Sequence, residues 1–157
     1  MRRTSFADMN CSVARTLEVV GEWWTMLVMR EAFSGVRRFD EFQGRLGIAR
    51  NVLAARLQRL VDFGILERRL YQERPERYEY RLTEKGFDLY PVLLSLMRWG
   101  DRWTAGPEGP PVRLVHQNCG HEATSVLSCS ECGEELKPRE VRALMSGTGR
   151  PLLDREA

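Results

Sequence analysis

The sequence predicts a mainly α-helical fold with one two-stranded β-ribbon, followed by a small module rich in cysteine and histidine. Three observations predict it. Apolar residues recur at helical spacing through most of roughly the first hundred residues. Near the end of that region, residues 78–82 alternate apolar and charged side chains, as strands do. Both histidines and three of the four cysteines fall between residues 115 and 136.

The first elements are helices. Residues 13–33 carry apolar side chains at helical spacing, and Gly21 divides them into two helices. A short helix with Phe39, Phe42 and Leu46 should end at Gly47. After a tight turn over residues 48–51, a helix spanning residues 50–62 carries Leu53, Leu57 and Leu60 on one stripe. Phe63-Gly64 should end that helix.

The ribbon and a last helix complete this region. Strands over residues 66–71 and 78–82 flank a polar tip, residues 72–77. Thr83 can cap one long final helix that runs to Trp103. A proline- and glycine-rich run follows and indicates a linker. The predicted organisation is residues 1–105 as the helical domain, 106–114 as linker, 115–137 as the cysteine module and 138–157 as a C-terminal tail.

A short helix, a tight turn, a second helix and a ribbon, in that order, predict a winged helix-turn-helix. One helix fits the major groove of DNA, and the other braces it against the backbone. With the three leucines buried and about 100° per residue, the outward side chains are Asn51, Ala55, Gln58 and Arg59, with Arg50 and Ala54 at the edge. Asn and Gln can pair with adenine and Arg with guanine. The alternative is a solvated face of an ordinary helix.

Charge adds a second indication of DNA binding. The net charge of +2 says little, but residues 37–81 contain 11 arginines against 7 acids. Arg37, Arg38 and Arg45 lie around the bracing helix and should meet phosphates. Arg74 and Arg77 lie at the ribbon tip, or wing, and should reach the backbone or the adjacent minor groove.

Three blocks of the sequence carry a resemblance to a known family. They are CSVARTLEVVGEWWTMLVMREAFSGVRRFDEF, LGIARNVLAARLQRLVDFGIL and ERPERYEYRLTEKGFDLYPVL. Together they resemble the HxlR-type winged helix-turn-helix transcription regulators over about residues 9–103. The resemblance implies a homodimer that binds double-stranded DNA as a repressor or activator and pairs through its terminal helices.

This chain departs from the family pattern at two positions. Ala49 stands where the family usually has a hydroxyl residue, so the recognition helix loses a side-chain N-cap worth about 1 kcal/mol. Trp23 stands where the family usually has Lys or Arg. The Trp23-Trp24 pair could line a pocket for an unknown small-molecule effector, but packing into the core is the interpretation we favour.

The final helix carries more apolar surface than one small domain can bury. Its apolar residues are Phe87, Tyr90, Leu93, Leu94, Met97, Trp99 and Trp103. Pairing with a second copy, together with the helix over residues 11–20, would bury the surplus. It would also place two recognition helices about 34 Å apart, one helical turn of DNA. A helix buried inside a larger monomeric core is the alternative.

The cysteine module contains the same short motif twice. His116 and Cys119 are separated by two residues and followed by glycine, and Cys129 and Cys132 follow the same pattern. This spacing lets both side chains of a pair reach one metal ion. The four residues predict a closed, structural zinc site in a zinc-ribbon-like module, with His121 as an alternative ligand. A redox dithiol or an unstructured tail are the alternatives.

Other function classes find less support. Both histidines belong to the cysteine module, and the sequence contains no phosphate-binding loop or nucleophile elbow, so we do not expect an enzyme. The absence of a signal sequence or apolar span predicts a cytoplasmic protein with no membrane partner. A zinc-ribbon interaction adaptor that does not bind DNA remains an alternative.

Cys11 is the one cysteine outside the module. It stands at the predicted start of the first helix, where backbone N–H groups favour the thiolate. A thiol-based redox-sensing regulator, acting through Cys11 or the C-terminal cysteines, is therefore an alternative function. A cysteine packed inertly against the terminal helix is the interpretation we favour.

Overall fold

The computed structural model describes residues 5–6 and 8–148. Within these residues the elements, in chain order, are α1 (Ser12–Val20), α2 (Trp23–Phe33), α3 (Phe39–Leu46), α4 (Arg50–Asp62), β1 (Leu66–Glu73), β2 (Glu76–Leu82), α5 (Glu84–Phe87) and α6 (Tyr90–Trp103). The chain divides into two compact units, Met1–Met97 and Arg98–Ala157. The division falls inside α6, before the boundary predicted at residue 105. The end of the predicted C-terminal tail, residues 149–157, lies outside the described residues.

The core of the first unit is built by α2, α3, α4 and the start of β1. Its fully buried members include Val28 and Met29 of α2, Phe42 of α3 and the α4 leucines. The predicted leucine stripe, Leu53, Leu57 and Leu60, is therefore the buried face of α4. Burying each such side chain stabilises the fold by about 1.5–3 kcal/mol.

The turn between α3 and α4 is short. Gly47 has a φ of 61°, the left-handed conformation that glycine adopts without strain, and its N–H bonds back to Gln43. Ala49 is the N-cap residue of α4, and no side-chain hydrogen bond caps the helix there. The expected loss of a side-chain cap is confirmed. The observed helix, Arg50–Asp62, has the predicted bounds.

The ribbon is longer than the sequence indicated. Antiparallel pairing extends to Glu73 and Glu76, which leaves Arg74 and Pro75 as the tip. The predicted polar tip over residues 72–77 is therefore mostly strand, because its polar side chains face solvent on both sides while the backbone continues to pair. The register shifts between Leu70 and Gln72, so Tyr71 is the extra residue of a β-bulge.

The predicted single final helix is two helices. Thr83 caps α5 as expected, since its hydroxyl accepts from the N–H of Gly86 at 3.1 Å. The helix stops after Phe87, and a new one starts at Tyr90. Pro91 explains the interruption, because proline has no N–H to bond back into α5 but fits the first turn of α6. Phe33 of α2 holds this corner, with its ring centroid 4.9 Å from that of Tyr90.

The tryptophan pair separates. Trp24 is half-buried against the core, whereas the side chain of Trp23 is 91% exposed. Core packing was therefore the wrong prediction for Trp23, because successive helical residues point about 100° apart and only one of the two faces the core.

No described helix is long and apolar enough to cross a membrane.

Candidate DNA-binding surface and metal-ligand pairs

The outer face of α4 is the candidate reading surface. Asn51, Ala54, Ala55 and Gln58 are exposed on it, as the leucine stripe predicts. Gln58 donates from Nε2 to Oδ1 of Asp62 at 2.7 Å, so its amide is held along the helix. Arg50, at the helix start, is exposed, and its guanidinium lies 4.7 Å from the ring centroid of Phe39. Base contacts by these residues stay a prediction.

Arg59 does not belong to this face. Its side chain is only 27% exposed, and it turns back to α1, where it donates to the backbone carbonyl of Glu18 and lies 3.3 Å from the Glu18 carboxylate. The outward placement predicted for Arg59 is therefore wrong. Helical spacing gives the direction of the Cα–Cβ bond, but a long arginine can bend toward a carboxylate near the core.

Arg45 is also committed to a carboxylate. Its Nε lies 2.6 Å from Oε2 of Glu31, a buried residue of α2 that also accepts from Arg30. Burial raises the pKa of Glu31, but the hydrogen bonds and charges of Arg30 and Arg45 outweigh it and hold that pKa below its ordinary value. Arg45 therefore braces α3 against α2, and a phosphate contact would have to share its guanidinium.

Four arginines around the reading face keep their charge available. Within the described part of the chain, Arg37, Arg38, Arg74 and Arg77 form no ion pair. All four are exposed. Arg37 and Arg38 precede α3, Arg74 lies at the wing tip, and Arg77 is the second residue of β2, next to the tip. The sequence therefore predicted exposed arginines at these positions but not which arginines are already paired, and their phosphate contacts stay a prediction.

One aromatic contact of this surface does not follow from the sequence. The Arg38 guanidinium lies 4.7 Å from the ring centroid of Tyr71. Tyr71 is the bulged residue of β1, and period-2 spacing cannot show where a bulge turns its side chain. No sequence signal that we recognise would have located this contact.

A second surface of the first unit is an apolar groove of about 540 Å³. Its walls include Val13 and Leu17 of α1, Trp23 of α2, and Val92 and Leu96 of α6, all of which are exposed. The apolar excess predicted for the final helix is thus present, since α6 buries none of its residues completely. Trp99 and Trp103 follow Leu96 along the helix at spacings of three and four, and both are exposed.

The two predicted metal-ligand pairs form the same backbone turn twice. Gly120 N–H bonds to the carbonyl of His116, and Gly133 N–H bonds to that of Cys129. The two glycines have φ of 72° and 77°, and bridges Val115↔Glu122 and Ser128↔Glu135 close the two turns. We call each turn a knuckle. Both lie in the second unit, where Arg98 donates to the Ser125 carbonyl at 3.0 Å and to Glu135 at 2.9 Å.

The His116–Cys119 pair has a spacing that zinc could accept, but the four predicted ligands are not brought together. Nδ1 of His116 lies 3.3 Å from Sγ of Cys119, near the roughly 3.5 Å expected for N and S on one tetrahedral zinc. Hydrogen bonds from the backbone of Cys132 and Glu131 and from the Cys132 side chain hold the pKa of Cys129 below its ordinary value. Nowhere in the described ranges do three or more His, Cys, Asp or Glu side chains form a metal-binding group. The four-ligand site stays a prediction.

The remaining predicted residues are also located. His121 takes part in the first knuckle through its backbone carbonyl, which accepts from the N–H of His116 at 3.0 Å.

Cys11 is the N-cap residue of α1 and is exposed. The favoured prediction of a packed cysteine is therefore wrong, because the start of α1 lies at the surface.

Comparison with known proteins agrees with this architecture. The HxlR-like helix-turn-helix family matches residues 19–107. The uncharacterised HTH-type transcriptional regulator Rv3095 of Mycobacterium tuberculosis is 52% identical over 130 residues, which are 83% of this chain and 82% of that protein. The uncharacterised regulator sll1512 of Synechocystis is 35% identical over 94 residues, 59% of this chain and 70% of that protein.

Solved structures agree as well. PA1607, a protein described as a candidate transcription factor, is 39% identical to this chain. Its crystal structure has a TM-score of 0.79, and the match covers 89% of this chain and 98% of PA1607. The redox regulator HypR in its reduced form is 33% identical, with a TM-score of 0.55 over 59% of this chain and 92% of its own. The family match spans more than half of the chain, and the reading helix, brace and wing lie inside it. The chain therefore belongs to the HxlR-like helix-turn-helix family of transcriptional regulators, not to a class of enzymes.

Proposed function

We propose that this regulator binds a specific double-stranded DNA site as a homodimer, with α4 in the major groove and the wing on the backbone or the adjacent minor groove. The observation that carries the proposal is the exposed α4 face, which presents Asn51 and Gln58 between small alanines. It is flanked by four arginines that form no ion pair with described residues. Asn and Gln amides match the adenine edge, and the arginines supply sequence-independent phosphate contacts.

Selection of binding sites from a random duplex library tests this proposal. We expect a pseudo-palindromic site with half-sites about 10–10.5 base pairs apart, centre to centre. Affinity should fall steeply with salt, because phosphate contacts release counterions. Recovery of no enriched sequence, with affinity no better than for random DNA, would instead support an adaptor without DNA reading.

The apolar groove supports the dimer, and a second copy of the chain is its proposed occupant. Val92, Leu96, Trp99 and Trp103 recur along α6 at spacings of four, three and four, the pattern of a helix that packs against a helix. The same chain therefore supplies a complementary apolar stripe. A pair of DNA-reading domains related by a two-fold axis also matches a palindromic site.

Zinc is the proposed cofactor of the second unit. From residue 104 to residue 148 none of the described residues is buried, so the module has no apolar core of its own. Small modules of this kind need a metal or another cross-link for stability. His116, Cys119, Cys129 and Cys132 would hold the ion through the matched knuckles, with no position left open for catalysis.

A second candidate function, redox sensing, rests on Cys11. Its thiol is exposed at the N-terminal end of α1, where an oxidant or the thiol of a second copy can reach it. If Cys11 senses oxidant, diamide should produce a cross-linked dimer with altered DNA affinity that reductant reverses. A Cys11→Ser protein that responds like wild type would remove Cys11 from the mechanism and leave the knuckle cysteines.

A further inference from the structure

A cleft of about 530 Å³ lies between the start of α3 and the wing. Arg38 and Arg50 line the helix side, and Tyr71, Arg77 and Tyr78 line the wing side. When α4 lies in the major groove and the wing approaches the neighbouring minor groove, the DNA strand that separates the two grooves must pass between these elements. The cleft is therefore placed where that strand would run.

The backbone around Arg38 is fixed to the wing. Tyr80 N–H donates to the carbonyl of Arg37 at 2.8 Å, and Arg38 forms an isolated antiparallel bridge with Glu79. The N–H of Arg38 also donates to Oε2 of Glu41 at 3.2 Å. These bonds hold the Cα of Arg38 at the mouth of the cleft, but they leave the long side chain free to rotate.

Tyr71 restricts that side chain. The bulge between Leu70 and Gln72 makes Tyr71 an extra residue on β1, and bulges re-aim the side chain that they insert. The Tyr71 ring lies under the Arg38 guanidinium, 4.7 Å from centroid to Cζ. A cation over an aromatic face is attracted by the ring quadrupole and keeps its N–H groups available at its edge.

The charges of the cleft select the kind of anion. Asp40, Glu41 and Glu76 also line it and balance the three arginines in formal charge. Asp40 lies 3.5 Å from Arg50, and Glu76 accepts from the hydroxyl of Tyr78 at 2.8 Å. A cleft with no net formal charge does not favour a dianionic phosphate. Guanidinium N–H groups that point into the cleft can still hold a singly charged phosphodiester.

We propose that this cleft holds a phosphodiester of the DNA strand between the two contacted grooves, and that Tyr71 is the positioning residue that holds Arg38 for this contact. The inference rests on the proposed DNA-binding function. It adds a specific backbone subsite and assigns a role to a wing residue that contacts no base.

A double-mutant cycle tests the inference, with affinity for the selected duplex measured across a range of salt. Tyr71→Leu should weaken binding about two- to fivefold on every sequence, the range expected for an exposed cation–π contact. Tyr71→Phe retains the ring and should bind like wild type. Leu70→Ala, the matched control on the same strand, should also bind like wild type. Thermal unfolding should show that all variants remain folded.

The cycle then asks whether Tyr71 acts through Arg38. The salt slope is the fall in the logarithm of DNA affinity per unit rise in the logarithm of salt concentration. Arg38→Ala should lower this slope by about one unit. Adding Tyr71→Leu to Arg38→Ala should cause no further loss of affinity. Two results would overturn the inference without contradicting DNA binding. Tyr71→Leu could lower affinity equally in the wild-type and the Arg38→Ala proteins, or it could leave the affinity of the wild-type protein unchanged. A wild-type protein without sequence-specific binding contradicts the proposed function itself.

Neutral methylphosphonates, placed singly along each strand, locate the subsite. One position, on the strand between the contacted grooves, should weaken wild-type binding but have no effect on Arg38→Ala. Equal sensitivity of both proteins at every position would place Arg38 away from the backbone and contradict the subsite.

Discussion

Arg59 of α4 and Glu18 of α1 form an ion pair of 3.3 Å, and the same guanidinium donates to the Glu18 backbone carbonyl. One helical turn earlier, Arg56 binds Glu22 at 3.1 Å. One flank of α4 is thus held to Glu18 of α1 and to Glu22, the N-cap residue of α2. The reading helix therefore has a fixed position relative to α1.

Arg59→Met should lower stability without changing how DNA is read. The substitution removes two hydrogen bonds of a half-buried guanidinium and should lower the free energy of unfolding by about 1–3 kcal/mol. The salt slope of DNA binding should stay unchanged. Urea unfolding and a salt titration measure the two effects. Gln58→Ala is the matched control, with unchanged stability and reduced base discrimination. A lower salt slope for Arg59→Met would instead show that Arg59 contacts a DNA phosphate.

Much of the fold follows from the sequence, because the leucine stripe and the glycines fix helix bounds locally. The bounds of α4 and the exposure of Asn51 and Gln58 were predictable for this reason. The partners of Arg45 and Arg59 were not, since Glu31 and Glu18 lie far away in the chain. The Tyr71 bulge depends on how two strands pair, which side-chain alternation does not encode. The break before α6 could have been predicted from Pro91.

Glu31 should make the first unit sensitive to acid. Its folded-state pKa lies below its ordinary value, so its pairing stabilises the fold above about pH 4.3 and is lost as the pH falls through the lower, folded-state pKa. Glu31→Gln should lower the free energy of unfolding at pH 7 by about 1–3 kcal/mol and flatten its fall below pH 4.3. Urea unfolding between pH 7 and pH 3 measures both. An unchanged acid slope in Glu31→Gln would show that other carboxylates dominate.

The second unit should contain about one zinc per chain when the protein is purified without added metal. Elemental analysis and a chromogenic zinc assay measure it. Cys129→Ser with Cys132→Ser should abolish binding and leave the helical far-ultraviolet circular dichroism of the first unit unchanged. His116→Ala should weaken binding more than His121→Ala, because the His116 ring is the one that contacts Cys119. A metal-free wild-type protein with an ordered C-terminal module would contradict the zinc proposal.

Leu96→Glu should prevent dimer formation. The substitution places a charge in the apolar groove, where a second copy would remove it from water. Sedimentation equilibrium should give twice the 18.2 kDa chain mass for wild type and the single mass for the variant. Val141→Glu, an exposed apolar position in the second unit, is the control and should remain dimeric. A dimeric Leu96→Glu protein would place the interface elsewhere.

The central claim is that α4 reads bases while the flanking arginines meet phosphates. The most direct test compares Asn51→Ala with Arg38→Ala on the selected site and on single-base variants of it. Asn51→Ala should lose about 1–3 kcal/mol of discrimination at particular base pairs, with an unchanged salt slope. Arg38→Ala should weaken every sequence alike and lower the slope by about one unit. Indistinguishable, uniform losses for the two proteins would contradict the placement of α4 in the major groove.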